Sequence, residues 1–133
     1  ILAFDYGTHK IGVASGNMLL GTATPLKALP CKNTQPNWDD IAALLKEWEP
    51  EALVVGLPLN MDGSDSESTA RARKFANRLH GRFGKKVWLV DERLSTREAR
   101  ERTGIQKADS RVDSMAAVIT AEGFFAGYAD AVV

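Results

Sequence analysis

Cysteine and long apolar runs are both scarce in this sequence, and each scarcity excludes a class of protein. The only cysteine is Cys31, which excludes a disulfide framework and a multi-cysteine zinc site and suits a reducing compartment. The longest apolar stretch, Ala52–Leu59, is broken by Gly56 and Pro58 and falls short of the roughly 18 residues that cross a bilayer. No charged and apolar leader precedes the first predicted strand. We therefore expect a cytoplasmic protein with no membrane association.

Net charge is also absent, but the charges are unevenly distributed. Over the whole chain, 17 Lys and Arg residues balance 17 Asp and Glu residues. Residues 71–111 carry thirteen of the basic residues against five acids, and both flanking segments are acidic. The length of 133 residues fits a single domain over residues 1–133. The basic middle segment makes a polyanion such as nucleic acid a candidate partner.

Hydrophobic patterning predicts an α/β chain with three strands before the first helix. Consecutive strands indicate an antiparallel meander, and each later strand, reached through a helix, indicates a parallel crossover. The strands are predicted at Leu2–Tyr6, Ile11–Gly16, Leu20–Leu29, Ala52–Leu57 and Val87–Asp91. Helices are predicted from the N-cap Asn37 to Pro50, over Glu67–Phe83 before Gly84, in a short segment from Ser95, and from Val112 to Phe125, with loops at 30–36 and 103–111.

Acidic residues stand where predicted strands end or a helix begins. They are Asp5, the Asp91-Glu92 pair and Asp113. The ends of parallel strands share one edge of an open sheet, where sites lie. Converging carboxylates without a His or Cys cluster form an oxygen-only site that prefers Mg²⁺ or Mn²⁺. Taken singly, each acid is also compatible with a turn, a surface ion pair or a helix N-terminus.

Four ordered motifs resemble the signatures of the YqgF/RuvX family. They are Asp5 to Ala14 (DYGTHKIGVA), Val55 to Ser64 (VGLPLNMDGS), Asp91 to Thr96 (DERLST) and Val112 to Ala117 (VDSMAA). The resemblance implies an RNase H-like fold, similar to RuvC-type resolvases, with a five-stranded mixed sheet in the order 3-2-1-4-5. It implies that Asp5, Glu92 and Asp113 are the catalytic, metal-binding acids, with Asp91 as a further candidate.

Two features depart from the family pattern. His9 stands where the family has Lys, and an imidazole is charged only at lower pH. The segment Thr103–Arg111 is short compared with the basic loop of many members. Both departures affect residues expected to bind the substrate, and neither changes the candidate acids.

Several residues are candidates for nucleic-acid contacts. No acid occurs between Arg71 and Lys86, so the basic side chains of the second long helix repel each other unless a polyanion binds there. The alternative is an ordinary solvated face, and for Asn60 it is an Asx-type turn. The candidate nucleic-acid-binding residues are Lys10, Asn60, Arg71, Lys74, Arg78, Arg82 and Arg93.

The resemblance implies a divalent-metal-dependent endonuclease, with 5′-end maturation of pre-16S rRNA, on precursor RNA or a ribosomal particle, as the leading role. A Holliday junction resolvase acting on four-way DNA is the alternative within the same chemistry. A non-catalytic nucleic-acid-binding adaptor and an actin-like ATPase are other classes, which the retained acids and the short chain respectively disfavour. Each predicted helix uses its apolar stripe for its own core, so we expect a monomer, with a dimer left open.

Overall fold

The computed structural model describes residues 1–91, 114–127 and 129–131 of the chain. The predicted helix from Ser95 and the predicted loop at 103–111 lie outside these residues. The strands are β1 (Leu2–Tyr6), β2 (Lys10–Asn17), β3 (Thr22–Lys32), β4 (Gln35–Pro36), β5 (Ala52–Leu57), β6 (Lys86–Asp91) and β7 (Ala129–Ala131). The helices are α1 (Trp38–Trp48), α2 (Glu67–Phe83) and α3 (Met115–Phe125). None of the described helices has the length and apolar character that crossing a membrane requires.

The described strands form one mixed sheet in the order β4-β3-β2-β1-β5-β6-β7. β1, β2 and β3 pair antiparallel, whereas β1, β5 and β6 pair parallel. This confirms the expected order 3-2-1-4-5 for the five main strands. The expected count of five omits β4 and β7, which extend the two edges by strands of two and three residues. Segments this short carry no periodic signal.

The third strand differs most from its prediction. β3 begins at Thr22 and continues to Lys32, and β4 follows, so strands occupy much of the predicted 30–36 loop. Pro25 and Pro30 lie within β3. They are tolerated because β4 pairs with β3 only at its end, which leaves most of β3 as an edge strand.

The two faces of the sheet carry different cores. One face, here the α2 face, is covered by α1 and α2 and holds large side chains that include Leu2 and Phe4. The other, the α3 face, packs small residues such as Ala3 against α3. Because side chains alternate along a strand, Tyr6 belongs to the α2 face, where it packs on that core, and Asp5 belongs to the α3 face.

The helix ends follow the capping rules that the sequence suggests. The Asn37 side chain accepts hydrogen bonds from two backbone N–H groups of the first turn of α1, at 3.0 and 3.3 Å, which confirms the predicted N-cap. Ser66 and Thr69 form a capping box at the start of α2. The buried Thr69 hydroxyl also donates to the Pro58 carbonyl at 2.7 Å. That bond ties α2 to the chain leaving β5, and Gly84 ends α2 with φ of 65° as predicted.

Candidate active site

Asp5 lies near the C-terminal end of β1, the middle strand of the sheet. Its backbone pairs with Gly12 of β2, and its side chain is half-buried. The alternation along β1 assigns that side chain to the α3 face. Asp5 therefore occupies the edge of the sheet where open α/β folds place their sites.

The turn after Asp5 requires glycine. A Cβ atom on Gly7 would lie 2.6 Å from the carbonyl oxygen of Lys10, closer than real Cβ contacts come. The Gly7 carbonyl in turn accepts a weak bond from the Cys31 thiol at 3.6 Å. Burial raises the pKa of that thiol, which agrees with a packing role for Cys31 rather than a nucleophilic one.

Ser114 fixes the start of α3 to the sheet. This fully buried residue accepts a hydrogen bond at its hydroxyl from the Val13 N–H at 3.0 Å and donates to the Leu26 carbonyl at 2.6 Å. The hydroxyl therefore bridges β2 and β3. The register of these two strands shifts between Ile11 and Val13, and such a β-bulge locally interrupts the hydrogen bonds between strands. The start of α3 is therefore anchored one residue along β2 from Gly12, the partner of Asp5.

Asp91 belongs to the opposite face from Asp5. Along β6, Val90 packs on the α3 core and Leu89 on the α2 core, so alternation assigns position 91 to the α2 face. Its register partner Leu57 also belongs to the α2 core. The alternation therefore disfavours Asp91 as a partner of Asp5, and this signal was already available in the sequence.

The structure describes part of the predicted acid cluster. Glu92, Asp113 and Arg93 lie outside the described residues, so their proposed roles stay predictions. Within residues 1–91, 114–127 and 129–131, no group of three His, Cys, Asp or Glu side chains could hold a metal ion.

The loop after β5 is closed by its own side chains. Asp62 accepts hydrogen bonds from the backbone N–H and the hydroxyl of Ser64, at 2.9 and 2.5 Å. Both hydrogen bonds close a local turn, which is a common role for an Asp side chain in a loop. Asn60 donates from its amide to the same hydroxyl at 3.0 Å, and both residues are exposed. Nucleic-acid contact by Asn60 remains a prediction, beside a turn role that the hydrogen bond supports.

The basic side chains of α2 have internal partners that the sequence did not reveal. Arg71 pairs with the exposed Glu67 at 2.6 Å, an i, i+4 pair that adds little stability in water. The Arg78 guanidinium donates to the Gln35 side chain at 2.9 Å. Arg82 stacks over the Trp38 ring at 4.4 Å. The expected mutual repulsion of the cations on α2 is thus partly offset by partners near both ends of the helix and on β4.

Three cations of α2, Arg71, Lys74 and Arg78, share a pocket of about 140 Å³ on the α2 face. Its walls come from the C-terminal end of β1, the β3–β4 turn with β4, and α2. Burial raises the pKa of the lining Tyr6 hydroxyl, an effect that the Cys31 thiol reinforces and that Arg71 and Arg78 oppose. The helical spacing of the cations was a signal for this pocket, but its β4 wall was hidden in a predicted loop. The lining residues are Tyr6, Thr34, Gln35, Pro36, Arg71, Lys74, Phe75 and Arg78.

Two solved structures are similar to this chain in fold. The chain is similar to Thermus thermophilus RuvC in complex with a Holliday junction substrate, with a TM-score of 0.55 and 16% identity over 98% of both chains. It is also similar to a second Thermus thermophilus RuvC structure, with a TM-score of 0.54 and 16% identity over 99% of this chain and 100% of the other. The chain therefore has the RNase H-like fold of the RuvC structures, as predicted.

Sequence comparison assigns the family. The profile described as "RuvX: Holliday junction resolvase" matches residues 1–127. A relative from Alcanivorax borkumensis named "Putative pre-16S rRNA nuclease" is 95% identical over 127 residues, covering 96% of each chain. A relative of the same name from Aeromonas salmonicida is 57% identical over 93% of this chain and 92% of its own. The chain belongs to the RuvX family, which confirms the predicted YqgF/RuvX membership.

Proposed function

We propose that the protein is a divalent-metal-dependent endonuclease that hydrolyses phosphodiesters in the 5′-end maturation of pre-16S rRNA. The observation that carries the proposal is that the Ser114 hydroxyl is hydrogen-bonded to Val13 of β2, the residue after the register partner of Asp5. Asp113 is joined directly to Ser114, and consecutive Cα atoms are about 3.8 Å apart. This direct connection supports the assignment of Asp113 to the same acid cluster as Asp5.

The alternation along β6 supports Glu92 as the third acid. Asp91 ends β6 on the α2 face, so an extended residue after it returns to the α3 face. That is the face of Asp5 and of helix α3. We therefore assign the metal-holding and catalytic roles to Asp5, Glu92 and Asp113.

The donor set suits the implied ion, because all three groups supply carboxylate oxygen. Such ligands fit Mg²⁺ or Mn²⁺ and disfavour Zn²⁺. When bound, the ion supplies activation of a water molecule and stabilisation of the leaving oxygen. The chain's own contribution is the tight Gly7 turn after Asp5 and the buried Ser114 hydroxyl that anchors the start of α3.

Cationic and amide side chains are proposed to bind the phosphate backbone. Lys10 is exposed at the start of β2, close to the Asp5 edge. Neutralising phosphates releases counterions and makes binding dependent on salt. With Lys10, the proposed contacts are Asn60, Arg71, Lys74, Arg78, Arg82 and Arg93.

Precursor rRNA is the favoured substrate, and a four-way DNA junction is the alternative. The RNA assignment draws on the name of the 95% identical relative, and the alternative draws on the family description. A resolvase cuts two strands at symmetric points, which favours a dimer with two sites. Trimming one RNA end needs one site, so the proposal includes a cytoplasmic monomer.

The test offers pre-16S rRNA and a four-way junction at equal concentration, with Mg²⁺ or Mn²⁺ and with a chelator. We expect RNA cleavage that the chelator abolishes. Asp5→Asn should lower the cleavage rate more than about 100-fold, since even loss of a group that only orients a metal ligand costs 10–100-fold. The matched control is Asp39→Asn, at an exposed acid in the first turn of α1, which should cleave normally. Symmetric paired nicks in the junction, without RNA cleavage, would replace the rRNA assignment with the resolvase.

A further inference from the structure

The pocket between β1, β4 and α2 lies on the opposite face of the sheet from Asp5. Its β1 residue is Tyr6, whose neighbour Asp5 belongs to the opposite face of the sheet. Both residues are near the C-terminal end of the same strand. The pocket and Asp5 therefore lie on the two sides of β1 at the same edge of the sheet.

The charge of the pocket is strongly one-sided. Arg71, Lys74 and Arg78 line it, and no carboxylate of the described residues does. Within that part of the chain, Arg71 has its ion pair with Glu67, which is largely exposed, and Lys74 has no ion pair. Like charges gathered around one cavity repel each other, and a bound anion removes that cost.

One of the cationic donors, Arg78, is held in place by a neighbouring amide. The guanidinium of Arg78 has five N–H groups, and one of its nitrogens donates to Gln35, which orients the planar group. Arginine binds phosphate oxygens in a bidentate fork, and lysine binds them as a point charge. The volume of about 140 Å³ exceeds the share of a few water molecules, roughly 30 Å³ each, so a phosphate group fits.

The wall opposite α2 is built at a conformational cost. Asn33 and Thr34 connect β3 to β4 with φ of 52° and 65°, a left-handed turn that a β-branched residue such as Thr strongly disfavours. The turn directs the Thr34 carbonyl to the Tyr6 hydroxyl, which donates a hydrogen bond to it. Backbone strain of this kind persists where the surrounding structure enforces it, and here it closes the pocket.

From the charge, the size and the built wall, we propose that this pocket is a binding site for one phosphate group, with Arg78 and Lys74 as its principal donors. The phosphate belongs either to the strand being processed, a source that rests on the proposed function, or to a small phosphate-bearing molecule. The shared chemistry is a phosphate with at least two free oxygens.

The first arm of the test measures inorganic phosphate binding to the metal-free protein by amide NMR shifts, against sodium chloride at equal ionic strength. We expect saturable shifts centred on Tyr6, Gln35 and the middle of α2. The double variant Lys74→Ala with Arg78→Gln should weaken this binding at least tenfold. The matched control changes two exposed lysines away from the pocket, Lys27→Ala with Lys46→Ala, and should bind normally. Absent shifts, or equal binding by the pocket variant, would overturn the proposal. Thermal unfolding checks that each variant is folded.

The second arm identifies the source of the phosphate by fluorescence anisotropy with a short single-stranded RNA. A several-fold loss of RNA affinity in the pocket variant, with a log–log salt slope smaller by up to about two, assigns the site to the strand. If the pocket variant loses phosphate binding but keeps its RNA affinity, the phosphate site is assigned to a small molecule. The proposal of a phosphate site is supported by that outcome as well. Asp5→Asn separates the two proposals, because it should abolish cleavage and leave phosphate binding intact. Phosphate binding by a native protein that cleaves nothing would contradict the nuclease alone.

Discussion

The hydroxyl of Ser114 accepts a hydrogen bond from the backbone N–H of Val13, 101 residues earlier in the chain, at 3.0 Å. The same hydroxyl donates to the Leu26 carbonyl at 2.6 Å. One side chain therefore completes the hydrogen bonding of two strands at a bulge and fixes the start of α3. Since Asp113 precedes Ser114, this buried contact links the stability of the fold to the geometry of the proposed acid cluster.

Replacing Ser114 by Ala should destabilise the protein and slow cleavage. The change leaves the Val13 N–H and the Leu26 carbonyl buried without their partner, which costs about 2–3 kcal/mol of unfolding free energy. Loss of a positioning group should lower the cleavage rate about 10–100-fold. Urea denaturation and single-turnover cleavage measure the two effects. Ser68→Ala, at an exposed position in α2, is the control and should change stability by less than about 0.5 kcal/mol. Normal cleavage by a folded Ser114→Ala would separate Ser114 from the site.

Asp91, the last residue of β6, and Glu92, the next residue in the sequence, should respond differently to loss of charge. Glu92→Gln should reduce cleavage more than about 100-fold if it holds the metal, by the same reasoning as for Asp5. Asp91→Asn should keep cleavage within about threefold of the native rate, because alternation assigns position 91 to the far face. Cleavage rates across a Mg²⁺ titration measure both. A larger loss in Asp91→Asn than in Glu92→Gln would reverse the assignment.

The sequence predicted the five main strands because each is a continuous or alternating apolar run. Their order in the sheet came from the family resemblance. The sequence did not predict β4, since two residues carry no period and the Asn33-Thr34 connection lacks the glycine typical of tight hairpins. The pocket on the α2 face is lined by this connection and by β4, so the sequence did not predict the pocket either. The contact of Ser114 was equally hidden, because a serine before a helix ordinarily indicates a local cap, whereas here the side chain makes no cap bond and bonds two distant strands.

Two glycines with opposite surroundings should give opposite stability changes. Gly7→Ala places a Cβ atom 2.6 Å from the Lys10 carbonyl oxygen, so backbone must shift, at a cost of about 1–3 kcal/mol. Gly81 is exposed in α2, where an added Cβ atom would meet nothing within 4 Å among the described residues beyond its chain neighbours and the backbone of its own helix. Gly81→Ala should therefore stabilise the protein by about 0.5–1 kcal/mol. Urea denaturation of both variants measures the pair. Stabilisation by Gly7→Ala would show that the turn relaxes freely, and would remove it as a support for Asp5.

The strained turn at the pocket should be relieved by glycine. Thr34 has φ of 65°, where a residue with a Cβ loses roughly 1–2 kcal/mol. Glycine removes that strain but loses more entropy on folding, by roughly 0.5–1 kcal/mol. Thr34→Gly should therefore raise the unfolding free energy by up to about 1 kcal/mol.

The control for this change is Thr24→Gly, at an exposed position within β3. It has no left-handed strain to relieve and should lower stability, because glycine weakens a strand. Urea denaturation compares the two variants. Since the Thr34 carbonyl belongs to the backbone, its bond from Tyr6 survives the substitution, and phosphate binding in the NMR titration should persist. Destabilisation by Thr34→Gly comparable to that of Thr24→Gly would mean that the turn stores no strain, and the threonine side chain itself would then have to support the wall.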